Sequence, residues 1–375
     1  MKILVDLTFV QNGDTSIGFT RVALTLLSNF MLQGLTSSLV ILIDSSSESY
    51  FRMNYRACDI VVSKYSHSII NKLIDFRRKK EINSIVEQKG IQILFGPFIS
   101  SASVTTNKCI SIGILHDVQK FHFKKNTFFG FLYRIRMPSI IKSYDRIITI
   151  SNSEKRHILK LFPDLKDKIS VIHNGIEISN NEKKIEGGFF SKPYVLDINT
   201  LYEYKNPLTL VKAFYKIRSK IPHNLIFKGK RTEYWNNTVE PFVKEKGLQS
   251  RIFLLERFLC NEELSYLYRH ADVFVSPSKM EGFGLTPVDA AIYKVPVICS
   301  NIDTLRETTM NLVSYFNPED ESALATLMLG IIKNPPKNLD FISNKLQDEY
   351  SVIQQAKRYI NIFKQYEDNG CNSSL

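Results

Sequence analysis

The chain has 375 residues, 44% of them hydrophobic and 23% charged, with a formal net charge of +12. That length exceeds what one hydrophobic core usually carries, so two domains are expected, and the composition excludes fibrous and disordered classes. No run approaches the roughly 18 apolar residues of a membrane-spanning helix, and the five cysteines are scattered without CxxC spacing, which excludes a disulfide framework or zinc site.

The opening Met1-Lys-Ile-Leu-Val-Asp-Leu7 turns acidic too early for a secretory signal, so a cytoplasmic chain is expected. The seven histidines show no HxxxH or HExxH pairing, and neither a metal site nor a cofactor is expected. The positive charge suits anionic substrates or an anionic membrane surface. No zinc finger, RNP sequence or KH-type GXXG loop accompanies it, so nucleic acid is not an expected partner.

Lys2 to Phe9 reads as a buried strand, followed by a loop with Gly13 and Ser16-Ile17-Gly18 and then an apolar helix from Arg21 to Leu32. Strand, glycine loop and helix is a phosphate-tolerant order, although Gly18 alone also fits a plain turn. Leu39 to Ile43 is a second strand. The helix expected over Ile69 to Glu87 carries Arg77-Arg78-Lys79-Lys80, read as a solvated basic face. Strands follow at Ile91 to Phe95 and Ile110 to Leu115. The latter ends on His116-Asp117, just past a strand's carboxyl end, where open α/β sheets bind ligands.

Phe121 to Pro138 mixes aromatics with Lys124, Lys125, Arg134 and Arg136. Two readings fit it: a helix packing aromatics into the core, and a bilayer-docking stretch with rings at the headgroups and cations on anionic lipid. Arg146 to Ser151 is another strand, after which Ser153 is expected to cap a helix over Glu154 to Leu161. Ile169 to Gly175 makes a strand and an Asn-Gly turn, and the polar, aperiodic residues 176–191 read as an interdomain linker.

The second half repeats the rhythm. Strands are expected at Tyr194 to Ile198, Asn224 to Gly229, Ile252 to Leu255, Val273 to Val275 and Val295 to Cys299. Helices are expected at Leu208 to Ile217 and Leu264 to Arg269. Alternating strands and helices in both halves imply two doubly wound parallel sheets. The most informative loop is Glu281-Gly282-Phe283-Gly284, where two glycines let backbone approach a ligand. After it Leu285 and Thr286 lead into a helix. Thr286 reads as its N-cap, Pro287 as its first residue and Asp289 as its capping-box acid. A helix start holds a phosphate through its N–H groups and dipole, while carboxylates beside it suit sugar hydroxyls. Together they describe a nucleotide sugar.

Glu281-Gly-Phe-Gly-Leu-Thr-Pro-Val-Asp289, with Pro277-Ser278, Pro296-Val297 and Arg306-Glu307, resembles the E-x7-E signature of retaining glycosyltransferases of family 4. The resemblance covers nearly the whole chain and implies the GT-B fold: two Rossmann-like domains facing a cleft. The N-terminal, acceptor-side domain would span 1–180 plus a returning C-terminal helix, 351–375. The nucleotide-sugar domain would span 181–350. It further implies that His116 faces the donor sugar, that Gly18 lies near the donor diphosphate, and that Lys205 neutralises that diphosphate. Asn199 stands where the family typically has glycine. Tyr204 replaces an arginine of the family's Arg-Lys-Asn triplet, leaving Lys205 or a neighbour such as Lys230 to supply the charge. Phe258 and Leu259 would border the base, Glu281 the sugar hydroxyls and Asp289, one methylene shorter than the usual Glu, the ribose.

The expected function is therefore retaining, metal-independent hexosyl transfer from GDP-mannose or a UDP-glucose-type donor. The expected acceptor is a glycan or lipid-linked glycan of cell-surface polysaccharide, such as O-antigen, lipopolysaccharide or capsule. The alternative is a non-catalytic nucleotide-sugar or glycan-binding module, for which the Tyr204 and Asp289 departures would be the marks. An epimerase of the same architecture would not be expected to carry the 281–287 stretch.

Overall fold

The computed structural model describes residues 1–12, 18–65, 72–119, 121 and 128–366. Gly13, Ser16, Ile17, Lys124, Lys125, Cys371 and the tail 370–375 lie outside the described residues. The chain divides into two compact units, Met1–Gly175 with Val352–Leu375 and Ile176–Ser351.

Unit 1 is built on strands β1 (Ile3–Leu7), β2 (Leu39–Ile43), β3 (Asp59–Val62), β4 (Ile93–Gly96), β5 (Ile110–Ile114), β6 (Arg146–Thr149) and β7 (Ile169–Val171). Among the described residues they form one parallel sheet in the order β3-β2-β1-β4-β5-β6-β7. The order reverses between β1 and β4, the hallmark of a doubly wound sheet. Strand β2 is buried along its whole length because parallel sheets are covered on both faces. The helix Val352–Lys364 belongs to this unit: Tyr359 and Phe363 pack edge-on against Phe30 and Phe95.

Unit 2 carries β8 (Tyr194–Ile198), β9 (Asn224–Lys228), β10 (Ile252–Leu255), β11 (Val273–Ser276), β12 (Val297–Ser300) and β13 (Ser314–Phe316). Their order is β10-β9-β8-β11-β12-β13, again all parallel, with the switch point between β8 and β11. Val195, Phe227, Val275 and Ile298 on one sheet face meet Leu210 and Phe214 of the helix Pro207–Ile217 and Leu324 and Met328 of Glu321–Lys333. The two parallel-sheet α/β units expected from the sequence are both present.

Three local expectations need correction. The basic run in the helix Lys72–Lys89 is not a wholly solvated face: Arg78 is 1% exposed. Four consecutive residues sweep the full circumference of a helix, so one must face the sheet. Arg78 donates to the Ala102 carbonyl at 2.6 Å and the Thr8 hydroxyl at 2.8 Å, and meets Asp6 at 3.3 Å. Secondly, the helix expected from Glu154 is Asn152–Leu161, and its N-cap is Ser151, not Ser153. Ser151 is extended and its hydroxyl accepts from the Glu154 N–H, whereas Ser153 is buried inside the first turn. Thirdly, the stretch read as a linker is fastened to unit 2. The Lys183 N–H donates to the Glu262 carbonyl and the Ser179 N–H to the Tyr293 hydroxyl.

The aromatic stretch near residue 130 packs into the core, the first of its two readings. On the helix Phe128–Lys142, Tyr133 packs with Phe121 and Phe162 around a core that includes Met137 and Ile141. Phe131 and Ile135, one turn apart, are 59% and 58% exposed. No helix among the described residues is long and apolar enough to cross a membrane.

Candidate functional site

The switch point of unit 2 assembles the site, because the loops leaving β8 and β11 part there on opposite sides of the sheet. After β8 comes a short turn, Glu203–Lys205, closed by Asn206 in the left-handed region at φ 59°. Asparagine tolerates that conformation. Its amide is fixed on both sides, donating to the Pro318 carbonyl and accepting from Thr209, each at 2.8 Å. The turn thereby aims Lys205, whose Nζ lies 2.7 Å from Glu281 Oε1 of the loop after β11. The two side chains are 14% and 9% exposed. A short ion pair this deep is a strong local electrostatic feature.

Glu281 is held by backbone pins that sequence reasoning missed. Thr304 donates to the Glu281 carbonyl at 3.0 Å and Thr308 to the Phe283 carbonyl at 2.8 Å, both from the helix Asp303–Thr308. Their spacing of four, which sets both hydroxyls on one helix face, was the available signal.

The helix after the loop is Leu285–Ile292, and its N-cap is Gly284 at φ +84°, not Thr286. Thr286 and Pro287 fall inside its first turn. With glycine at the N-cap, no cap side chain occupies the first N–H groups, and this helix start can receive an anion. Asp289 is buried in that helix at 1% exposure. Gly282 and Phe283 are buried too, so the loop presents backbone more than side chains.

Other expected residues lie around this centre or away from it. Asn199 follows β8 and donates to Asp197 Oδ1 at 2.7 Å. Its carbonyl would stand 1.8 Å from a Cβ added at Gly229, so the strand end after β9 tolerates glycine alone. Gly229→Ala is expected to cost about 3 kcal/mol, the upper end for overpacking. Gly284→Ala, strained by its φ, should cost about 1–2 kcal/mol. Urea unfolding of both variants checks the ranking. Lys230 is exposed beside the Asn199 loop, its carbonyl accepting the Leu201 N–H. Tyr204 stacks on Tyr202 at 5.8 Å and lies 5.4 Å under Lys205 Nζ, so it props the lysine without supplying a second cation. Phe258 is largely exposed and Leu259 buried; the Arg257–Glu263 ion pair and a Cys260–Glu263 capping box fix their loop.

In unit 1, His116 is buried at the end of β5, with Nε2 2.9 Å from the Pro97 carbonyl and Phe98 beside it. Burial pushes its imidazole down from the ordinary value, against the Pro97 hydrogen bond and Asp117. The neutral ring with its proton on Nε2 presents Nδ1 as an acceptor. The following turn is held by buried Glu154, which accepts the Val118 N–H at 2.8 Å. Gly18 opens the helix Gly18–Phe30, exposed, with nothing within 4 Å of a Cβ. Among the described residues no three His, Cys, Asp or Glu side chains converge as a metal-ligand group.

Comparison with known proteins agrees with this architecture. The family model for glycosyl transferases group 1 matches residues 179–348, and that for Glycosyltransferase Family 4 matches 18–180. The O-antigen chain mannosyltransferase RfbU of Salmonella typhimurium is 29% identical over 221 residues, 59% of this chain and 60% of that protein. The serotype-specific mannosyltransferase WbdA of Escherichia coli is 22% identical over 86% of this chain, which spans 42% of WbdA. The chain thus spans 60% and 42% of these two relatives' length. Among solved structures, sucrose-phosphate synthase from Thermosynechococcus elongatus superposes with a TM-score of 0.78 at 15% identity, over 98% of this chain and 100% of the other. Anabaena Alr3699/HepE in complex with UDP-glucose gives 0.72 at 14% identity, over 97% and 100%. These likenesses establish the GT-B fold.

Proposed function

The chain belongs to the glycosyl transferases group 1 family, and on that premise we propose that it moves a hexosyl unit from a nucleotide sugar to a glycan or lipid-linked glycan acceptor. The donor is of the GDP-mannose or UDP-glucose type, transfer retains anomeric configuration, and no metal ion takes part. The product belongs to cell-surface polysaccharide. The relatives' names, an O-antigen chain mannosyltransferase and a serotype-specific mannosyltransferase, support mannose, and the first supports the acceptor class; the UDP-glucose complex of HepE keeps the second donor open.

The observation that carries the reading is the Lys205–Glu281 pair beside the glycine-capped helix. As the bond to the leaving diphosphate breaks, charge grows on its oxygens. A fixed cation and aimed N–H groups stabilise that charge, the term that usually dominates such catalysis. Lys205 with the backbone of Gly284, Leu285 and Thr286 takes this role. Glu281, released from Lys205 by the incoming phosphate, accepts from sugar hydroxyls, and Asp289 from the ribose. Asn199, Lys230, Phe258 and Leu259 border the nucleotide. The resemblance assigns His116 the donor sugar and Gly18 the diphosphate side. No side chain is assigned as nucleophile; the leaving phosphate takes the acceptor's proton.

An anionic membrane surface is the proposed partner of unit 1. Exposed Phe131 and Ile135 support it, as does the basic helix Lys72–Lys89, where Lys80 lies over the exposed Phe76 ring at 4.6 Å.

A thermal-shift panel of GDP-mannose, UDP-glucose, ADP-glucose and TDP-glucose without added metal tests the donor reading. At a concentration of about 100 Kd the true donor adds roughly 2.7 kcal/mol of stability. One donor is expected to shift the melt, and release of its nucleoside diphosphate on adding acceptor separates transfer from mere binding. No shift with any of the four would reject the reading.

A further inference from the structure

The penultimate residue of strand β8 is a carboxylate that the donor reading leaves unused. Asp197 is 0% exposed; Asn199 Nδ2 donates to its Oδ1 at 2.7 Å, and Oδ2 has no hydrogen-bond partner. The charged groups that act on it are Lys205 and Glu281, from the loops after β8 and β11. The elements packed alongside are uncharged at this level. Phe227 is its register partner on β9, β11 continues past Phe274 with Val275, and the helix Pro207–Ile217 turns in Leu210, Val211 and Phe214.

One cation therefore serves two buried carboxylates. Lys205 is already committed to Glu281 at 2.7 Å, so an ionised Asp197 leaves the cluster with an excess negative charge. A diphosphate arriving at Lys205 adds two more charges of the same sign. Like charges in a buried site are relieved most cheaply by binding a proton, and the more buried carboxyl takes it.

We propose that Asp197 is a positioning residue that takes up a proton when a nucleoside-diphosphate sugar seats its diphosphate on Lys205. This rests on the assignment of Lys205 to the diphosphate. The neutral acid no longer competes for the ammonium, which is then free to follow the leaving phosphate. Asp197 is poised for this: burial pushes its carboxyl up to about 7, the Asn199 hydrogen bond and Lys205 pull it down, and Glu281 pushes it up. The sign follows directly. An incoming anion raises the proton affinity of Asp197, so the donor binds more tightly as pH falls and more weakly as pH rises above the titration of the free protein.

Isothermal calorimetry of the full chain with GDP-mannose, UDP-glucose, ADP-glucose and TDP-glucose tests this between pH 6 and 8, where their diphosphates carry no titrating proton. Paired runs in buffers of different ionisation enthalpy count the protons. Wild type is expected to take up about half a proton near pH 7, and its Kd to rise up to about tenfold per pH unit above that. Asp197→Asn keeps shape and removes the titration, so it should bind with no buffer-dependent heat and a flat pH profile. Asn199→Leu, which deletes the hydrogen bond favouring the charged form, should move the wild-type midpoint to higher pH. Binding by wild type without proton uptake overturns the proposal and leaves the donor reading standing, as does uptake undiminished in Asp197→Asn. No binding by any of the four sugars overturns both.

Discussion

Lys205→Met is expected to lower the release of nucleoside diphosphate from the donor by about 10²–10³-fold in kcat, the loss seen when a single oxyanion-stabilising group is removed. Methionine preserves the length and packing of the stem and deletes only the cation. Loss of a uniformly bound contact would raise KM alone, whereas a group that meets charge developing in the transition state changes kcat. Both should change here, with the larger part in kcat. A second effect sits beneath the first. Without Lys205, the Glu281 side chain is left 9% exposed and without its counter-ion, and breaking a buried pair from one side costs about 3–5 kcal/mol unless the acid protonates. Lys205→Met/Glu281→Gln removes that cost, so its stability should recover while turnover stays low. Steady-state kinetics and urea unfolding on the single and double variants decide the matter. A Lys205→Met enzyme within threefold of wild type in kcat would take the leaving-group role away from this lysine.

Arg78→Ala is expected to destabilise unit 1 by about 3–5 kcal/mol, the range for removing one member of a buried charge network. Arg78 reaches Asp6, Thr8 and the Ala102 carbonyl from one guanidinium, while Thr8 also donates to Asp6 at 2.6 Å. Its deletion leaves the Asp6 carboxylate without this counter-ion and the Ala102 carbonyl without this donor, with only Thr8 still donating to Asp6. Arg78→Lys should not rescue, because a point-like ammonium lacks the planar fork that meets three acceptors at once. Arg78→Leu/Asp6→Leu removes charge from both ends and should recover part of the loss. Urea unfolding monitored by circular dichroism reads all three. A loss under 1 kcal/mol for Arg78→Ala would mean that water replaces the guanidinium.

What the sequence reveals here depends on the range of the interaction. Buried strands such as Val273–Ser276 are legible because both faces of a parallel sheet are covered, and the alternation of strand and helix then dictates two wound sheets. The Glu281–Gly284 loop is legible because two glycines and a proline mark it locally. Arg78 reads as solvated because its reason for burial, Asp6, lies 72 positions earlier. Asp197 reads as one residue of an apolar strand, since nothing in Tyr194–Ile198 announces the pull of Lys205 and the push of Glu281 on its carboxyl. The N-cap fell two residues late at Thr286 because side-chain chemistry favoured threonine, while the backbone turn required a glycine at φ +84°. Lys205 and His116 came from the family pattern rather than from composition or period.

Unit 1 is stitched from two segments that flank unit 2 in the chain, and this sets an order of manufacture. Its sheet ends at β7, yet the helix that covers Phe30 and Phe95 is encoded only after the whole of unit 2. Within each unit the two chain ends at the boundary are neighbours: Ile176 bridges to Ser351 in unit 2, and a Cβ on Gly175 would meet the Val352 backbone at 2.7 Å in unit 1. During synthesis the second-encoded unit can therefore finish first, as an uninterrupted segment, while the first-encoded one waits on the ribosome with an apolar flank uncovered. Translation from the amino end ordinarily favours the earlier domain. Here the nascent chain reverses that precedence, and a stop codon at position 352 should release a mature unit 2 tethered to an incomplete partner.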